Sequence, residues 1–176
     1  MQTVAVSDIR PAVAMLEKTP GIFEALLRHL SVELLQWKPG PDRWSISEVL
    51  AHLADIEQVY GERVRLIMAE NSPKLEKYDQ TKAAAAGEYS RGLPLEHLAR
   101  LTTLRGEIVL FLKGVPGSAG ARTAIHSELG TITLAQLLNE WAGHDLGHLR
   151  QIAELYRANA FYPHSGPFQK YSNPKP

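Results

Sequence analysis

The 176-residue chain contains no cysteine. That absence removes disulfides and thiolate metal ligands together, so any metal ion must be held by imidazole nitrogen or carboxylate oxygen. An excess of charge of one sign is also missing, since 19 Lys and Arg face 19 Asp and Glu. Nucleic-acid binding needs a basic face, and no Lys/Arg cluster or basic run interleaved with aromatics occurs, so no nucleic-acid partner is expected. No apolar run approaches the ~20 residues of a membrane span. Asp8, Arg10 and Glu17 interrupt the apolar stretch that a secretory signal requires. A cytoplasmic protein without a membrane partner is the expectation. Strand patterns are nearly absent, the short Thr131-Ile132 stretch after Gly130 being the exception. What is present is a chain 44% hydrophobic and 22% charged, ordinary for a globular protein and of a length that suits one domain over residues 1–176.

Apolar residues at helical spacing mark four long segments. The first covers about residues 8–36, with Val13, Leu16, Phe23, Leu26, Leu27, Leu30 and Leu34, and Pro20 is expected to break or kink it. The Pro/Gly-rich loop Trp37 to Trp44 ends it. The second begins at the capping box Ser45-Ile46-Ser47-Glu48 and runs to about Glu70, burying Ile46, Val49, Leu53, Ile56, Tyr60 and Ile67. The third spans about 93–113, with Leu98, Leu101, Leu104, Ile108 and Leu112. The fourth opens on a second capping box, Thr133-Leu134-Ala135-Gln136, and extends to about Arg157. The short Ala83–Ala86 run reads as one or two turns of helix. The tail from about residue 160 holds four prolines and no periodicity, which predicts an irregular extended arm or frayed end. The connection from 71 to 92 could span up to ~70 Å when extended, against ~37 Å for a 25-residue helix. It is long enough to return along a bundle and make helices two and three parallel. An all-α, up-down-down-up four-helix bundle with one long crossover between helices two and three follows.

Seven histidines are present. His144 and His148 stand four apart in the last helix, so both imidazoles share one face a turn apart. Leu137, Trp141, His144, His148 and Leu155 form one helical seam, which places the pair on the stripe facing the core. His52 lies between Val49 and Ile56 on the buried side of helix two. Each could be a neutral core histidine with hydrogen-bonded nitrogens. Two from one helix and one from a facing helix is also how bundles build internal metal sites. Three neutral imidazoles suit one divalent ion, Zn, Ni or Fe, with positions left open. His29 and His97 are expected to face water, His126 to bond a loop carbonyl or reach the site mouth, and His164 to sit in the tail. Glu140 and Asp145 are the nearest acids on helix four, and either could orient a ligand imidazole or simply be a solvated charge.

Two strings carry a family resemblance. Trp37-Lys38-Pro39 and Trp44-Ser45-Ile46 lead into Glu48-Val49-Leu50-Ala51-His52-Leu53-Ala54-Asp55. Leu129-Gly130-Thr131-Ile132-Thr133-Leu134 leads into Trp141-Ala142-Gly143-His144-Asp145-Leu146-Gly147-His148-Leu149-Arg150-Gln151-Ile152. Together they resemble the DinB-like (damage-inducible) superfamily over roughly residues 10–170. The resemblance implies a four-helix bundle holding Zn or Ni through three histidines, which by position are His52, His144 and His148. It further implies kinship with transferases and isomerases that use low-molecular-weight thiols such as bacillithiol or mycothiol, and a homodimer.

Three functions are compatible with these residues. An open His-rich metal site could activate a thiol or a water for S-transfer or hydrolysis of a small molecule. His144-Asp145-Leu146-Gly147-His148 imitates the zinc-protease pattern, but aspartate shortens the base and no substrate-binding edge strand is evident. A non-catalytic module stapled by its metal is the remaining alternative, although such sites normally close with four protein ligands. A ferritin-like di-iron site is excluded, because no Glu-x-x-His occurs.

Overall fold

Both capping boxes form. The Ser45 hydroxyl accepts from the Glu48 amide at 3.2 Å while Glu48 accepts from the Ser45 amide at 2.8 Å, and Thr133 and Gln136 exchange equivalent bonds at 3.1 and 2.8 Å. They start two of the four long helices in the computed structural model, which describes residues 7–85 and 89–176. The helices are α1 (Arg10–Leu27), α3 (Ile46–Ala69), α5 (Pro94–Lys113) and α6 (Leu134–Tyr156). Two short ones, α2 (Val32–Gln36) and α4 (Gln80–Ala85), lie in the connections. The helical reading of Ala83–Ala86 holds through residue 85, and Ala86 lies outside the described residues.

The core divides into two clusters that fix the topology. One gathers Ala12 and Leu16 from the start of α1, Val64 and Ile67 from the end of α3, Ile108 and Leu112 from the end of α5, and Leu134 and Leu138 from the start of α6. The other gathers Phe23 and Leu27, Ile46 and Leu50, Leu98 and Leu101, and Ile152 and Leu155 from the opposite ends. Helices α1 and α6 therefore run one way and α3 and α5 the other. This is the up-down-down-up arrangement, with the 70–93 connection returning along the bundle.

The expected break at Pro20 does not occur there. Helix α1 runs through Pro20, and the chain breaks instead after Leu27, restarting at α2 with Ser31 as N-cap. Proline lacks the N–H that would bond the carbonyl four residues back, here Leu16. Arg105 Nη1 from α5 donates to that carbonyl at 2.8 Å, so the orphaned acceptor is satisfied from outside the helix.

A small sheet was not expected from the sequence beyond the Thr131-Ile132 stretch. Strand β1 (Lys74–Leu75) pairs in parallel with β2 (Thr123–His126), which pairs antiparallel with β3 (Gly130–Thr133). Strands of two to four residues carry too little alternation to be read. Beside the sheet, Arg122 donates to the Ile67 and Glu70 carbonyls, both at 2.7 Å, and so closes the C-terminal end of α3. The tail also departs from expectation. It coils through successive turns over Arg157–Phe161, Tyr162–His164 and Gly166–Lys170. Bonds from Arg157 to the Ser172 hydroxyl and from the Lys175 amide to Glu154 then tie its end back to α6. No helix among the described residues is long and apolar enough to cross a membrane.

Candidate metal centre

Helix α3 presents His52, and α6 presents His144 and His148, at the half of the bundle where Phe23 and Leu27 pack. Their Nε2 atoms converge. His144 Nε2 lies 3.2 Å from His52 Nε2 and 3.1 Å from His148 Nε2. Three nitrogens at 2.0–2.1 Å from a tetrahedral ion stand about 3.4 Å apart, so the two sides that meet at His144 have nearly the length that coordination requires, and the three ligand atoms all lie within 4.8 Å of one another.

The opposite ring nitrogens decide where the protons sit. His148 Nδ1–H donates to Gln151 Oε1 at 2.8 Å. His52 Nδ1 meets the Tyr89 hydroxyl at 3.3 Å; that hydroxyl lies 2.7 Å from the hydroxyl of Tyr78, which in turn reaches Asp55. With His52 and His148 both protonated on Nδ1, two Nε2 lone pairs face His144. A proton on His144 Nε2 can serve only one of them well and leaves His144 Nδ1, buried without a partner among the described residues, as an orphaned acceptor. A proton on Nδ1 instead leaves three lone pairs facing one another. A cation at the centre removes the clash of lone pairs and holds the proton on His144 Nδ1, whose buried N–H has no partner among the described residues.

Burial, with the neighbouring histidines adding to it, lowers the His52 pKa to about 3 and that of His144 to about 4. His148 is lowered by burial too, against the pull of Gln151. At neutral pH all three rings are therefore neutral and have no proton to lose to a metal. Trp44 covers His52 with ring centroids 5.1 Å apart, and Tyr89 packs edge-on at 5.5 Å. The other side is open. A cavity of about 700 Å³ has His144 and His148 at its floor, Gly147, Gln151 and Glu154 along α6, and Asn173 and Pro176 of the tail above.

The acidic residues of α6 do not serve the histidines directly. Asp145 is fully buried and accepts from Arg105 at 2.7 and 3.2 Å and from the Thr19 hydroxyl. Arg105 also holds Glu57 through two bonds of 2.7 Å, so each of the four long helices contributes one member to a buried polar cluster one residue from His144. Burial pushes Glu57 up to about 6 against the pull of Arg105. Burial opposes the Arg105 charge, yet its bonds to both carboxylates hold its pKa above the ordinary value. Glu140 is exposed and lines a separate cavity with Tyr60 and Arg63. His126 ends strand β2, and its Nδ1 accepts from the Glu128 amide rather than bonding a loop carbonyl. His29 and His164 are exposed, and His97 is half-buried with Nε2–H donating to the Arg91 carbonyl.

The model of the DinB superfamily matches residues 15–152. The chain belongs to the DinB superfamily. A candidate metal-dependent hydrolase of Oceanobacillus iheyensis is 26% identical over 141 residues, covering 80% of this chain and 81% of that protein. The similarly named YfiT of Bacillus subtilis is 24% identical over 146 residues, covering 82% of each. In the solved structures, YfiT from Bacillus subtilis, described as a metal-dependent hydrolase by inference and as having an unusual four-helix bundle topology, superposes with a TM-score of 0.79 at 22% identity, covering 90% of this chain and 91% of that one. The match shows the shared fold. Within this DinB-superfamily chain the helices bring together all three histidines singled out from the sequence. Sequence reasoning gave no role to Tyr89, which sits in a connection without periodicity, or to Gln151. The latter had a signal, since it follows His148 by three positions and so lies on the same helical face.

Proposed function

We propose that this protein is a metal-dependent enzyme acting on a small molecule, with His52, His144 and His148 holding one divalent ion, zinc or nickel and otherwise ferrous iron, through Nε2. The observation that carries this reading is the convergence of three Nε2 atoms, with separations of 3.2 and 3.1 Å at His144, two of whose rings, His144 and His148, line an open cavity. With a divalent ion held by these residues, the site would supply Lewis-acid activation of a water or thiol at neutral pH. The chain's own residues do the rest. Gln151 and Tyr89 keep the Nδ1 protons of His148 and His52 in place so that the lone pairs of these two ligands point inward. Trp44 and Tyr89 close the His52 side to water, leaving the cavity as the approach for substrate. Hydrolysis and thiol-dependent S-transfer both fit this arrangement, and the names of the relatives favour the first while the three neutral ligands with open positions serve either.

Elemental analysis of natively purified protein beside His148→Ala tests the reading. Wild type is expected to carry close to one ion per chain and the variant to lose most of it. Full stoichiometry in the variant would remove the ligand set. A screen of ester and amide substrates, with and without thiol cosubstrates, then separates hydrolysis from transfer.

A further inference from the structure

The cavity over His144 and His148 has an uneven charge. Arg43 from the loop before α3, Arg150 on α6 and Lys175 in the tail all line it, and Glu154 is the one carboxylate side chain among its lining residues. Glu154 is already engaged, pairing with Arg157 and accepting from the Lys175 amide. Arg43, Arg150 and Lys175 make no side-chain ion pair or hydrogen bond among the described residues. The chain as a whole has equal numbers of acidic and basic groups, so three unpaired cations around one mouth are a local concentration. Another cavity, about 510 Å³ beside Tyr60, has one arginine, Arg63, and one glutamate, Glu140, among its lining residues.

The floor adds to the imbalance. Three neutral imidazoles do not offset a divalent ion, and Asp145, the nearest carboxylate on α6, is committed to Arg105 and Thr19. Charge of one sign in a concave mouth raises the local concentration of the opposite ion and orients it. Arginine adds a planar fork matched to carboxylate and phosphate oxygens.

We propose that this cavity selects substrates bearing an anionic oxygen group, a carboxylate or a phosphate, and that Arg43 and Arg150, with Lys175, are the residues that read it while the reacting end sits at the histidines. The proposal rests on the metal-centre reading for the reacting end, but the anion subsite stands on the rim residues alone.

The test loads wild type and an Arg43→Glu/Arg150→Glu variant with cobalt. It follows the sulfur-to-cobalt absorption on titration with 3-mercaptopropionate, 2-mercaptoethylphosphonate and the neutral 3-mercaptopropionamide. The ratio of anionic to neutral affinity, compared between the two proteins, cancels intrinsic differences in thiol acidity. Both arginines are exposed and unpaired, so the variant is expected to fold and to take up cobalt as wild type does. Expected is a ratio at least tenfold higher in wild type, for whichever of the two anions is preferred, and a smaller difference at high salt. Equal ratios in the two proteins overturn the proposal. If wild type takes up no cobalt, the metal-centre reading fails, and the rim is tested separately by calorimetry of glutarate with metal-free protein. Binding by wild type that the variant loses supports the anion subsite. No binding, or equal binding by both, sinks it.

Discussion

Each imidazole of the triad has two nitrogens, and the second one carries as much of the design as the first. Gln151 fixes His148 from three residues along α6, whereas His52 depends on Tyr89, a residue of the crossover that reaches back over α3. Loss of such an outer partner commonly lowers metal affinity by about 10–100-fold. Gln151→Ala and Tyr89→Phe are each expected to weaken metal binding by about tenfold or more on that scale, measured by competition with a chromophoric chelator. Unchanged affinity in both would mean that ring orientation is set by packing alone. Acid sensitivity belongs to the same residues. Because His52 and His144 titrate near 3 and 4 in the fold instead of 6.5, the unfolded chain binds protons that the folded one refuses. Their contribution to stability is fully present above about pH 6.5 and is lost as pH falls toward 4 and then 3. The expected slope is about 1.4 kcal/mol per pH unit for each histidine. Urea unfolding of metal-free protein across pH 4–7 checks it, with a His52→Gln/His144→Gln variant giving a flatter curve.

At the scale of elements, α1 shows why a residue-by-residue reading stops short. Pro20 has a clear local meaning, yet its cost is met by Arg105 on another helix, which donates to the Leu16 carbonyl. Arg105 in turn joins Glu57 and Asp145, so one side chain ties α1, α3, α5 and α6 together. Nothing in the periodicity of α5 marked Arg105 as buried, because a charged residue on that stripe reads as solvated until its partners are known. Arg105→Met leaves two carboxylates unpaired in the core and is expected to destabilise the fold by about 3–5 kcal/mol. In a Pro20→Ala background, where the restored amide can bond Leu16, the same change is expected to cost less. Equal costs in the two backgrounds would deny the coupling. The long helices themselves were legible, since both capping boxes and the apolar stripes of α3 and α6 lie where the sequence put them. The sheet and the coiled tail were not, because their strands and turns are short and are held by distant partners such as Leu75 with His126, and Ser172 with Arg157.

For the whole molecule, topology and chemistry meet in the long crossover. It makes α3 and α5 parallel, and it also carries Tyr78 and Tyr89 to the outer side of His52. The triad was readable because its members sit on apolar stripes, where a titratable side chain is conspicuous. The cavity above it was not, since Arg43, Arg150 and Lys175 come from a loop, a helix flank and the tail and meet only in the folded chain. X-ray absorption at the metal edge of the natively loaded protein is the most direct measurement of the central claim. Three imidazole nitrogens at about 2.0–2.1 Å with at least one further light, exchangeable ligand is the expected shell. A closed shell of four protein ligands, or no imidazole scattering, would contradict it.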